Sequence, residues 1–215
     1  MKKNKLFYIT LIISFIPLIV NLIAYPHMPD KVPVHWGITG EPNRYGSKME
    51  QIMLSVLPLV LFLLLNFLPS IDPKKESYKK HTSAFSIINF VIILFLIIMN
   101  LMGLFSALGY NMQFQKVLPV LLGILFIVLG NFMTQLRHNY FFGFRTPWTL
   151  ASEYVWKKTH RFGGYVFVVI GLVPLSSIII GPMGMYLFLG AMAIGIALIL
   201  IYSYLVFKKE KHKEE

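Results

Sequence analysis

Six long apolar runs constrain this chain more than any motif in it. They cover residues 6–24, 52–68, 84–108, 117–136, 162–180 and 185–207. A helix needs roughly 20 residues to cross the hydrocarbon core, with a range of about 17–25. Each run meets that length, the fifth only when Phe162–Gly164 start its helix. In lipid every backbone N–H and C=O must find its partner within the protein, which a helix provides along its own length. Charged residues make up 13% of the chain, about half the ~25% of soluble domains. The fold class read from this is an all-α polytopic membrane protein: one six-helix domain over residues 1–215, with no room for a separate soluble domain. The first run is read as an uncleaved span, because it exceeds a usual signal h-region and is followed by Tyr25-Pro26-His27 rather than a small-residue cleavage site.

The distribution of charge orients the helices. If the N-terminus is inside, the inside segments hold Lys2, Lys3, Lys5, Lys74, Lys75, Lys79, Lys80, Arg137, Arg145, Lys157, Lys158, Arg161, Lys208, Lys209, Lys211 and Lys213, against Lys31, Arg44, Lys48 and Lys116 outside. That bias of 16 to 4 out of 20 is the positive-inside pattern and predicts both termini in the cytoplasm. The net charge of +11 therefore reads as topology plus attraction to anionic lipid headgroups, and direct nucleic-acid binding is not expected. Cysteine is absent, so disulfides and thiolate metal sites are excluded.

Within the apolar runs there is no Asp, Glu, Lys, Arg or His, which argues against an ion or proton pathway. Asn21, Asn66, Asn89, Asn100, Asn131 and Gln135 read as interhelical hydrogen-bonding groups. Pro17, Pro58 and Pro174 are expected to kink their helices, Pro119 to sit in a first turn. Gly190, Ala191 and Gly195 offer a small face for close packing in the last span. The tail KKEKHKEE is expected to be frayed and solvated.

Two connections are longer than a link between helices requires. In 25–51, Val32-Pro33-Val34-His35-Trp36 reads as extended, followed by turn residues Gly37, Gly40, Pro42-Asn43 and Gly46. The result is a compact loop, compatible with a two-stranded hairpin, with Trp36 and Tyr45 suited to the headgroup level. His27, Asp30, His35, Glu41 and Glu50 match no ligand spacing, so no metal is expected.

In 137–164, Thr146 is a helix cap and Pro147 a first helical residue. A helix from Pro147 to about His160 aligns Leu150, Ala151, Tyr154 and Val155 on one stripe, and Gly163-Gly164 is expected to end it. This predicts an amphipathic helix on the inner membrane surface, with Trp148 and Trp156 at the interface. Arg145 needs a partner near the membrane, either Glu153 or backbone carbonyls. Neither segment presents a nucleophile with a base, a carboxylate pair or a metal cluster, so no catalytic residue or cofactor is expected.

At Met28–Lys48 and Asn139–His160 the chain resembles the SdpI family of bacterial membrane immunity proteins. The first segment carries MP-x-x-V-P-x-H-W-x-x-x-G-x-P-x-x-x-x-S-K; the second carries N-x-x-F-G-x-R-T-P-W-T-L-x-S-x-x-V-W-x-x-T-H. The resemblance implies a multi-pass plasma-membrane protein that protects its producer from a secreted peptide toxin. In some members it implies a signal transducer that holds an ArsR-like repressor at the membrane. On that reading Pro33, His35, Trp36, Gly40, Pro42 and Lys48 face the toxin outside. Asn139, Gly143, Arg145, Thr146, Pro147, Trp148, Trp156 and His160 face a cytoplasmic partner. A small exporter of a hydrophobic peptide is the competing reading; it gains nothing from internal symmetry, since no repeat is visible.

Overall fold

A computed structural model describes residues 4–213; Lys2 and Lys3 of the charge count, and Glu214 and Glu215 of the tail, lie outside the described residues. The first apolar run forms α1 (Lys5–Ser14) and α2 (Ile16–Ala24). A hairpin follows, β1 (Lys31–Trp36) and β2 (Pro42–Ser47). Next come α3 (Lys48–Ile71), α4 (Thr82–Ala107) and α5 (Phe114–Met133). The chain ends with α6 (Pro147–Ala151), α7 (Glu153–Leu172), α8 (Ser177–Ile180) and α9 (Met183–Lys211). Counted as spans, six stretches among the described residues are long and apolar enough to cross a membrane: Lys5–His27, Lys48–Ile71, Thr82–Ala107, Phe114–Met133, Glu153–Ile180 and Met183–Lys211. They exceed the apolar runs because charged residues such as Glu50, Lys116, Lys157 and Lys208 occupy terminal turns.

Two of the four prolines sit where the backbone can spare a donor. The first span breaks at Phe15, so Pro17 falls at the start of α2. Pro174 starts a 3-10 turn, Pro174–Ser176, that interrupts the fifth span. Pro58 lies within a continuous α3. Pro119 is six residues into α5, beyond the first turn expected for it, because the helix starts at Phe114 rather than at the apolar boundary.

Inside lipid, helices gain little from hydrophobicity and associate through close packing. Here that falls to Gly123, Gly130 and Gly171, which no sequence pattern singles out, and to Gly164, expected above to end a helix. Gly123 and Gly130 of α5 face Gly171 and Gly164 of α7, and a Cβ on any of the four would meet the opposing glycine's carbonyl oxygen within 2.9 Å. Two backbone contacts seven residues apart lock this antiparallel pair. By contrast Gly190 opens onto empty space, while Gly195 packs on Ile170 and Val166. Gly163-Gly164 therefore does not end a helix. Both lie inside α7, Gly164 against α5 and Gly163 beneath the Phe144 ring.

The hairpin caps one end of the bundle. Its strands pair antiparallel, Lys31 opposite Ser47 and Pro33 opposite Tyr45, with the register shifting before Trp36 meets Pro42. Val32 and Val34 join Met28 against Leu104 and Ala107 of α4. Full burial of a side chain such as Val32 contributes roughly 1.5–3 kcal/mol where water is displaced. The connections 72–81 and 134–152 meet at the opposite end, in the same place as the last turns of α9.

Candidate functional site

The long connection 134–152 is an ordered block built around one carboxylate. Asp72, 2% exposed, follows the last turn of α3. Its Oδ1 accepts from the Lys74 amide at 2.7 Å, and its Oδ2 from the Tyr140 amide at 2.9 Å. The Tyr78 hydroxyl lies 2.7 Å from Oδ2 and 3.1 Å from Asn139 Oδ1, with one proton to share. Burial, then the bond to Asp72, raises the Tyr78 pKa well above its usual range and keeps it a neutral donor. Asn139, fully buried, also accepts from the amides of Phe141 and Phe142 at 3.0 and 2.7 Å. One asparagine thus folds the turn, and one aspartate fastens it to the 72–81 connection.

Trp156 and His160 form the second half of the block. Trp156 Nε1 donates to the Leu136 carbonyl at 2.9 Å, and its ring stacks on His160 with centroids 3.9 Å apart. The Phe144 amide can only donate, so His160 Nε2 accepts from it at 3.0 Å and Nδ1–H donates to the Trp156 carbonyl at 2.9 Å. Gly143 makes this approach possible: at φ 102° it lies against the His160 ring, where a Cβ has no room.

Thr146 caps α6 as expected, with Thr149 closing a reciprocal capping box. The surface helix from Pro147 to His160 does not form as one piece. It breaks at Ser152, whose hydroxyl caps α7 and donates to Glu210 of α9 at 2.8 Å. The stripe splits with it: Val155 is buried, Tyr154 exposed. Trp156 is 1% exposed rather than interfacial, because α7 turns into the bundle at its first residue. Trp148 packs on Tyr204 of α9. Arg145 is exposed and takes the carbonyl option, donating to Tyr140 O at 3.0 Å. Of the eight residues singled out here, Asn139, Thr146, Trp156 and His160 are buried in the block, whereas Gly143, Arg145 and Pro147 are exposed and Trp148 is half-buried.

Asp72, Tyr78, His81 and His138 were missed. The signal for Asp72 was a lone acid before proline at the end of an apolar run. His81 Nδ1 accepts from the Arg137 amide at 3.3 Å. Burial, then the Arg137 charge, lowers its pKa from an ordinary 6.5 to about 4. His138 is lowered too, by burial and the neighbouring Lys74 charge. Between pH 6.5 and 4 the unfolded chain therefore binds more protons than the folded one, so stability is complete above 6.5 and falls as the pH drops through this window. Thermal unfolding in detergent should lose midpoint across that range. His81→Asn, which can accept the same bond without titrating there, should show a shallower loss.

At the hairpin end lies a cavity of about 320 Å³ between β1, α3, α4 and α5. Trp36, Leu54, Leu57, Met99 and Phe114 contribute its apolar walls; His35, Gln51 and Asn100 are its polar groups. Trp36 turns inward to stack on Phe114 with centroids 4.1 Å apart, while Tyr45 stays 60% exposed. Behind the wall, Asn21 Nδ2 donates to Asn100 Oδ1 at 2.9 Å and Gln51 Nε2 donates to Asn21 Oδ1 at 3.2 Å. This ties together three spans.

Of the other hairpin residues singled out, Pro33 is buried in β1 and Pro42 exposed at the start of β2. Gly40, at φ 82°, lies against Gln115. Lys48 pairs with Asp30 at 3.1 Å and lies over Tyr25; Glu50 pairs with Arg44 at 2.6 Å. Among the described residues no group of three or more His, Asp or Glu could hold a metal ion.

Comparison with known proteins adds to this geometry. Residues 135–203 match the SdpI/YfhL protein family, and residues 12–62 match a domain of unknown function, DUF1648. Immunity protein SdpI of Bacillus subtilis (strain 168) is 29% identical over 210 residues, covering 97% of this chain and 98% of that protein. An uncharacterized protein of Archaeoglobus fulgidus is 36% identical over 47 residues, 20% of this chain and 26% of its own length. No solved structure matches. The whole-length likeness and the six apolar helices make this a multi-pass bacterial membrane protein.

Proposed function

We propose that this chain, which matches the SdpI/YfhL family over residues 135–203 and resembles one SdpI immunity protein along nearly its whole length, is a plasma-membrane immunity protein that protects the cell producing it from a secreted peptide toxin. It acts by binding rather than by catalysis. Both termini face the cytoplasm and the hairpin faces outward, a reading supported by the 16-to-4 distribution of Lys and Arg. The carrying observation is the hairpin-capped cavity of about 320 Å³. It lies within the ~300–1,000 Å³ range of ligand sites, which combine apolar walls with a few polar groups. A hydrophobic toxin segment can bury side chains there and place a backbone amide against Gln51 or Asn100.

Filling the cavity tests this. A Cβ on Gly103 lies 3.3 Å from the Trp36 ring, so Gly103→Leu projects into the space, and Leu57→Trp blocks it from α3. In sensitive cells carrying equal membrane levels, each variant should lower survival at least tenfold against a peptide the intact chain withstands. Survival equal to that of the intact chain overturns the cavity assignment. No protection by the intact chain against any membrane-active peptide overturns the immunity reading.

The opposite end is assigned the signalling contact with a cytoplasmic ArsR-like repressor. Support comes from exposed Gly143, Arg145 and Pro147 on a block whose motif residues Asn139, Thr146, Trp156 and His160 are buried. Peptide flux through proteoliposomes would instead favour a small exporter.

A further inference from the structure

We infer that the block opposite the hairpin contains a phosphate-group site between the 72–81 connection, the 134–152 connection and the first turns of α7. A polar cavity of about 270 Å³ lies there, with His138 and Trp156 buried in its wall and Lys80, Arg137 and Lys157 exposed around it. Ser77 and the Glu153 carboxylate complete the lining. The cavity carries three cations against one anion. None of the four takes part in an ion pair within 4 Å among the described residues.

His138 supplies the second observation. It is 5% exposed, and its Nδ1 lies 2.8 Å from Lys74 Nζ. An ammonium group only donates, so Nδ1 accepts and the neutral ring carries its proton on Nε2. That Nε2 is buried and has no hydrogen-bond partner within 3.5 Å; a longer backbone contact with Leu150 satisfies the ring only weakly. A poorly satisfied buried donor is costly, and here it belongs to a side chain lining a cavity ringed by cations. The missing complement is a compact anion with several acceptor oxygens, for which Arg137 provides a planar two-pronged donor and the lysines provide point charges. A flat acidic protein surface fits a half-enclosed cavity of this size poorly. The cavity lies at the end of the bundle, beside the starts of apolar spans, where a phospholipid headgroup reaches. Free phosphate has the same chemistry, and the two sources separate by experiment.

Purified full-length protein is placed in nanodiscs of phosphatidylcholine doped with phosphatidylglycerol, and retained lipid is counted by native mass spectrometry after release. The intact chain should keep phosphatidylglycerol, and Arg137→Gln combined with Lys157→Gln should reduce its retention at least fivefold. Lys208→Gln combined with Lys209→Gln removes the same charge outside the cavity and should leave retention unchanged. His138→Phe, which keeps a ring beside Trp156 and removes the donor, should lower it severalfold. A parallel titration of inorganic phosphate in pure phosphatidylcholine discs reads Trp fluorescence. Saturation there without phosphatidylglycerol retention supports the site with free phosphate as its ligand. Equal losses in the two double variants would mean diffuse surface attraction and overturn the proposal, as would retention of neither ligand by the intact chain. Arg137→Lys with Lys157→Arg keeps both charges and should restore at least half of the retention; failure to do so while the protein remains monodisperse also overturns it.

Discussion

Replacing Asp72 by Asn should destabilise the folded protein by about 2–4 kcal/mol, the combined effect of lost charge-assisted bonds and of donors left unsatisfied. The carboxylate is surrounded by donors alone: the Lys74 amide on Oδ1, and the Tyr140 amide and Tyr78 hydroxyl on Oδ2. An asparagine keeps one oxygen and turns its NH₂ group onto either one amide or the other, so one backbone N–H loses its acceptor whichever way the side chain flips. The Tyr78 hydroxyl can turn to Asn139, which softens the loss on that side. Detergent unfolding followed by Trp fluorescence measures the effect. Glu76→Gln is the control, since Glu76 is an exposed acid held only by a surface pair with Lys79; it should leave the midpoint where it was. A midpoint in Asp72→Asn equal to that of the control would show that the carboxylate does not hold the block.

Gly143→Ala should cost about 2–4 kcal/mol from two separable causes. A non-glycine residue at φ 102° is strained by roughly 1–3 kcal/mol. Its Cβ also enters the His160 ring, displacing the acceptor of the Phe144 amide and leaving that donor to a net loss of about 1 kcal/mol or more. Gly109 separates the two. It sits at φ 91° with nothing near the site a Cβ would take, so Gly109→Ala carries backbone strain alone. Gly143→Ala should therefore unfold at clearly lower temperature than Gly109→Ala. If the two coincide, the fit between Gly143 and His160 carries no weight. Protection should fall with Gly143→Ala only as far as folding does, because the proposed toxin cavity is at the other end of the bundle.

Much of the architecture was legible because the bilayer leaves a chain few options. Apolar runs near 20 residues must be helices, and all six correspond to spans. Thr146-Pro147 and the turn residues Gly37 and Gly40 specify local backbone, so the α6 cap and the hairpin appear where expected, although Gly46, also read as a turn residue, pairs opposite Val32 within β2. The errors cluster where distant segments decide. Gly163-Gly164 reads locally as a helix stop, but packing against Phe144 and α5 keeps it helical. Trp36 and Trp156 read as interfacial rings, and both are drawn inward by partners, Phe114 and His160, far away or a turn away in the chain. Asp72 and Asn139, 67 positions apart by their numbers, meet through the Tyr78 hydroxyl only once α4 and α5 have returned the chain to the same end.

By itself the sequence determined the number of spans, the charge asymmetry between their two sets of connections and the identity of the two dense motifs, because these follow from lengths, local dihedral preferences and side-chain chemistry. The tertiary structure alone decided that one motif roofs a cavity while the other is mostly internal scaffolding. It also brought His138 into the wall of a cavity lined by three cations. Those outcomes depend on which helix faces approach, and in lipid that is set by a few close glycine contacts and buried polar pairs that no single segment encodes.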